Sequence, residues 1–281
     1  MDARNPDTLA GDGTFASNRA TGDIALAVTA VCGASRRTRV HEAGSLRVRF
    51  PNSHDAGALD AVIVNTAGGM TGGDRFAIGI DVGAGARLTV TTAAAEKVYR
   101  SLGPDTEISV RMGVEGGAAL AWLPQETILF DQARLHRTID IDLAAGASLL
   151  AAEAIVFGRA AMGEIVDRGH LFDCWRVRAG GELIFAETIR LDGAIARRLE
   201  EAAIAKGGAA VASILKIPGD DDSVAAVRAM EQSFAGEVGI SAWNGLAAAR
   251  LVARDSAALR HDLICVLTAW NSGPLPRLWL N

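Results

Sequence analysis

Two acids in this chain stand where apolar residues are expected. In "GASLLAAEAI" (146–155), Leu149, Ala151 and Glu153 share one parity; in "GGELIFAETI" (180–189), Leu183, Phe185 and Glu187 do the same. Alternate residues of a strand face the same way, so both carboxylates should point inward beside their apolar neighbours. An unpaired buried carboxylate is costly and needs a base, a water or a cation. Three chemistries follow. An internal salt bridge to Arg159 or Arg190 would be structural. A polar passage would hold a cation in transit. An acid–base pair, with carboxyl groups about 5–10 Å apart in an open cleft, would suit glycoside chemistry. Aromatic residues make up only 5% of the chain, with one tyrosine, which disfavours a sugar-stacking cleft.

A third acid, Asp74, ends the glycine-rich stretch "NTAGGMTGGDRF" (65–76). A phosphate cradle needs a strand before the glycines and a helix N-terminus after them, because aligned backbone N–H groups do the binding. Here "DAVIVNTA" reads as a strand, but "RFAIGIDVG" continues with strand alternation, and no Gly-Lys-Ser/Thr follows. The loop is therefore expected to turn the chain between strands and deliver Asp74. Further on, "EKVYRS" (96–101) puts Lys97, Tyr99 and Arg100 at a strand end, either as a solvated end or as a contact surface for a partner protein.

Other signals exclude whole classes. The five histidines never fall two or four residues apart and no Cys-x-x-Cys occurs, against a tight structural zinc site. No Gly-x-Ser-x-Gly elbow or cysteine–histidine nucleophile signature is present. A net charge of -5 argues against nucleic acid as a partner. No apolar run approaches the roughly 20 residues of a membrane span, and the N-terminus carries no signal-peptide pattern. Cys32, Cys174 and Cys265, widely spaced and odd in number, suit a reducing cytoplasm.

The elements that must position these acids are mainly β. Alternation marks "SLRVRF", "ARLTVTT", "EISVRM" and "RTIDIDL". A degenerate turn-strand repeat begins at Gly85, Gly117, Gly146 and Gly180, a period of roughly 30 residues that predicts stacked, sandwich-like sheets. We divide the chain into a flexible leader (1–21), a β body (22–191) and an α+β portion (192–281) packed on it. That last portion is expected to hold either a short helix or a loop-flanked strand end in "AIARRLEEAAIA" (194–205), and a strand at 209–217. It also holds an amphipathic helix at 221–234, a hairpin across Asn244-Gly245, and a helix at 255–270 capped by Asp255 or Ser256. The proline-rich tail is expected to dock as an extended strip.

Five blocks in order, "GGMTGGDRF", "TVTTAAAEKVYRS", "AWLPQETILFDQARLHR", "EAIVFGRAAMGE" and "PRLW", resemble the urease accessory protein UreD (UreH) family over residues 22–281. The resemblance implies a non-catalytic maturation factor, mainly β, with no tightly bound cofactor. It implies UreF, the GTPase UreG and urease apoprotein as partners. It also implies nickel in transit through an internal passage, with Asp74, Glu153 and Glu187 as its polar residues. "TA" (66–67) and "AA" (93–94) replace the proline-containing pairs common in the family, which bears on turn stiffness. A pure adaptor without ion contact, and the carboxylate-dependent glycoside enzyme, are the alternatives.

Overall fold

The computed structural model describes residues 18–280 except 54, 160 and 161, so most of the 1–21 leader, and His54, lie outside the described residues. Two sheets face each other. The first, of seven strands, runs in the order β14-β13-β11-β8-β5-β1-β2. Its strands are β1 (Thr21–Val31), β2 (Ala34–Gly44), β5 (Arg75–Val82), β8 (Thr106–Val114), β11 (Arg134–Leu143), β13 (Arg168–Ala179) and β14 (Glu182–Ala194). The second runs β16-β17-β15-β12-β9-β6-β4-β3. It contains β3 (Leu46–Arg49), β4 (Leu59–Asn65), β6 (Arg87–Thr92), β9 (Ala119–Trp122), β12 (Ser148–Phe157), β15 (Ala210–Ile217), β16 (Glu237–Trp243) and β17 (Leu246–Ala253). Two short strands, β7 (Glu96–Val98) and β10 (Thr127–Leu129), pair with each other, and β10 also pairs with β12.

From β4 to β13 the chain alternates between the sheets. Each coil of the stack adds one parallel strand to each sheet, and this is the origin of the 30-residue period. The turn glycines Gly85, Gly117 and Gly146 adopt φ of 68°, 69° and 75°, a region that favours glycine. Their strands β6, β9 and β12 are successive neighbours, as a stacked repeat requires. The fourth copy departs from the pattern: β14 leaves the coil and pairs antiparallel with β13 at the edge of the other sheet.

The space between the sheets is filled by aliphatic side chains such as Ile24, Leu26, Leu88, Leu120, Ile139 and Leu149. The outer face of the second sheet is covered by α3 (Ser256–Trp270), with α2 (Asp221–Arg228) packed against α3 and β16. A second cluster forms there around Leu259, Leu263, Val266 and Leu267. Strand β12 is thus buried on both faces, which explains its nearly unbroken apolar run.

Local chemistry sets most of the C-terminal elements. Asp255 caps α3 by accepting from Ala258 N–H, and Asp220 with Ser223 forms a capping box on α2. Asn244 (φ 48°) and Gly245 (φ 77°) turn the β16–β17 hairpin. Two expected helices are shorter than their patterns. In 194–205 only Ile195–Leu199 (α1) is helical; β14 runs up to Ala194, and turns follow from Glu200. In 221–234 the α-helix ends at Arg228 and a single 3₁₀ turn follows at Glu231–Ser233. The tail docks, but its last residues form a 3₁₀ turn at Arg277–Trp279, with Trp279 Nε1 donating to the Leu123 carbonyl at 3.0 Å.

Candidate functional site

Glu153 on β12 points between the sheets, as its parity requires, and is 5% exposed. Trp122 Nε1 on β9 donates to its Oε1 at 2.8 Å, and Arg137 on β11 donates to its Oε2. Arg137 is equally buried. Its Nε and Nη2 grip the two oxygens of Asp173 at 3.0 and 2.7 Å, and Nη1 also reaches Thr127 Oγ1 at 3.2 Å. Asp173 sits directly beside Arg137 in the parallel register of β11 and β13, which sets up the bidentate geometry. The internal salt bridge expected for Glu153 therefore exists, but not to Arg159 or Arg190. Arg159 instead pairs with Glu164 near the surface and stacks over Phe130, while Arg190 is exposed on β14.

One guanidinium thus serves two buried carboxylates, which leaves one negative charge in excess when both are ionised. Burial pushes the Glu153 carboxyl up to about 7, and nearby Asp173 adds to the rise, against the opposing pull of Arg137 and Trp122. For Arg137, burial works against the charge, but Asp173 and Glu153 together outweigh it and hold its proton more firmly than usual.

Glu187 arrives from the opposite sheet. Its neighbours correct the parity argument in one respect: Leu183 is 55% exposed, because a bulge at Ile184 shifts the register between Val177/Phe185 and Arg178/Leu183. Phe185 and Glu187, beyond the bulge, do face inward. Glu187 accepts from Ser213 Oγ and pairs with Arg250. Glu153 and Glu187 are therefore not equivalent positions of one repeat. They are opposed residues on facing sheets, and that brings them together. Glu153, Asp173, Glu187 and Ser213 line one cavity of about 10 Å³, roughly the space of a single water. Along the second sheet, Glu153, Ser213 and Arg250 are direct cross-strand partners on β12, β15 and β17, so a polar row crosses the apolar interior toward the sheet edge. Among the described residues no three acids, histidines or cysteines stand in the close arrangement of a metal site.

Asp74 does not line this cavity. It is buried at the end of the glycine loop, where its oxygens accept from Thr71 N–H at 2.8 Å and Ala20 N–H at 2.9 Å. The loop joins β4 to β5, two strands, with no helix behind it. A Cβ on Gly72 would stand 1.9 Å from Ser101 Oγ and 2.2 Å from the Pro104 carbonyl, so close approach of two loops demands glycine there. Lys97, Tyr99 and Arg100 lie against this loop. Tyr99 hydroxyl donates to the Gly68 carbonyl at 3.0 Å and its ring meets Phe130 edge-on at 4.9 Å. The Arg100 carbonyl accepts from Thr71 Oγ1, and the Lys97 and Arg100 side chains are exposed.

The wider chain places this architecture. A family profile described as UreD urease accessory protein matches residues 20–280. The chain belongs to the UreD family. A urease accessory protein UreD of Rhodopseudomonas palustris (strain BisA53) is 56% identical over 274 residues, covering 98% of this chain and 95% of that one. Another, from R. palustris (strain HaA2), is also 56% identical and covers 98% of each chain. Urease accessory protein UreD 3 of Bradyrhizobium sp. (strain BTAi1) is 53% identical over 277 residues, covering 99% of each. Members of this family are accessory proteins rather than catalytic enzymes. No helix among the described residues is long and apolar enough to cross a membrane.

Sequence reasoning missed Arg137 and Asp173. The signal was present: in "RLHRTIDIDL" the base shares parity with Leu135, Ile139 and Ile141, and in "LFDCWRV" the acid shares parity with Leu171, Trp175 and Val177.

Proposed function

We propose that this UreD-family chain acts in the maturation of urease as a non-catalytic factor in the cytoplasm. It docks on urease apoprotein together with UreF and UreG and passes nickel inward along the Glu187–Ser213–Glu153 row. The observation that carries the reading is the shared cavity, where three carboxylates from two facing sheets meet with an excess negative charge. Oxygen ligands hold nickel loosely compared with imidazole or thiolate, and a conduit needs an ion that leaves. Asp173 joins Glu153 and Glu187 on this passage. Asp74, with both oxygens engaged by backbone amides, contributes by fixing the loop against Ala20, the residue that leads into β1, while Lys97, Tyr99 and Arg100 beside it form a partner-facing surface.

The test is reconstitution of urease apoprotein with the other accessory proteins and either Glu153→Gln or Glu187→Gln. Lower nickel content and urease activity, with the accessory complex still assembled, is the expected result. Unchanged nickel loading in both folded variants would remove the conduit and leave the adaptor reading. Failure to assemble would mark the acids as structural.

A further inference from the structure

The two glutamates are both held by arginines, but by arginines of different standing. Arg137 is enclosed, and its Nε, Nη1 and Nη2 bond to Asp173, Glu153 and Thr127. Expelling it would strand two buried carboxylates, which is prohibitive. Arg250 stands at the outer end of the polar row, with its side chain 56% exposed, while the Glu187 it covers is 11% exposed. Its cross-strand neighbour on the terminal strand β16 is Gly239, which has no side chain to confine it. The arginine side of this pair is already half in water, so Arg250 reaches solvent far more readily than the enclosed Arg137.

We propose that Arg250 is the gate of the passage: a tethered guanidinium that occupies Glu187 as a stand-in counter-ion, which a divalent cation must displace to enter. The proposal rests on the passage reading and adds its regulation. The tethered side chain competes with any incoming cation for the same carboxylate. It lowers the affinity of the outer carboxylate for a divalent ion and so favours transit over storage. A carboxylate on a docked partner would draw the same side chain away and open the row.

The test is equilibrium dialysis of the purified full chain against nickel alone, with magnesium as control. Arg250→Gln should bind nickel about three- to fivefold more tightly than the native chain, the scale on which an exposed pair competes. Arg250→Lys should stay near the native value, because it keeps the tethered charge. In the double variant Arg250→Gln/Glu187→Gln the gain should vanish. An unchanged or weaker affinity in Arg250→Gln, a gain that survives loss of Glu187, or no nickel binding by any of the proteins would each overturn the gate. If the gain depends on Glu187 while Glu153→Gln and Glu187→Gln both leave urease activation intact, Arg250 competes with nickel at Glu187 but gates no passage, and the passage reading falls.

Discussion

Asp74 and Glu153 are both buried acids, yet the fold uses them in opposite ways. Asp74 meets two backbone N–H groups, from Thr71 and Ala20, and so closes a loop onto a strand. Asp262 repeats the device on α3, accepting from Ala235 and Gly236 N–H. Such a carboxylate is satisfied by donors fixed in the main chain. Glu153 instead shares Arg137 with Asp173, so two carboxyl groups depend on one base. The first arrangement is complete by itself. The second can take up another positive charge, and for that reason we place function there.

The sharpest way to break the contrast is to remove the shared base. Arg137→Met should cost roughly 3–5 kcal/mol or prevent folding, because it leaves two buried carboxylates without a cation. A triple variant that also carries Glu153→Gln and Asp173→Asn should recover much of that loss in urea unfolding. Recovery would show that the penalty comes from uncompensated charge; no recovery would assign it to packing.

The pH response comes next. With the folded value of Glu153 raised from 4.5 to about 7, the folded protein holds a proton that the unfolded chain releases. The contribution to stability is therefore full below pH 4.5 and is lost as pH rises to about 7. It amounts to about 3 kcal/mol at most. Native protein should lose stability relative to Glu153→Gln between pH 4.5 and 7.5. Parallel pH profiles of the two proteins would contradict the raised value.

Asp74→Ala should cost about 2 kcal/mol, since two backbone donors lose a charged acceptor. It should shift protection from hydrogen exchange at Thr71 and Ala20 while leaving nickel affinity as it is. An altered affinity would bring Asp74 into the passage itself. The smallest effect on stability belongs to Arg250→Gln, about 1 kcal/mol, because the guanidinium it removes is already half in water. A larger loss in thermal unfolding would make Arg250 a structural residue.

Much of the architecture was legible because it follows from local rules. Alternating parity turned Glu153 and Glu187 inward, the glycine spacing announced the stacked coil, and strand alternation after Asp74 ruled out a phosphate cradle. Asp255 and the Asn244-Gly245 pair set a helix start and a hairpin turn. These signals lie within a few residues of each other, where sterics and hydrogen bonding act without help from the rest of the chain. The partners of the acids were not legible in this way. Arg137 and Asp173 each carried a parity signal, but only the parallel register of β11 with β13 sets them side by side. The departure of β14 from the coil, with its bulge at Ile184, put Glu187 on the sheet facing Glu153 rather than beside it. Sequence determined which way each acid points. Which charges meet across the interior was decided by tertiary structure, because Coulomb and hydrogen-bond energies depend on separations of a few ångströms between residues 16 to 63 positions apart.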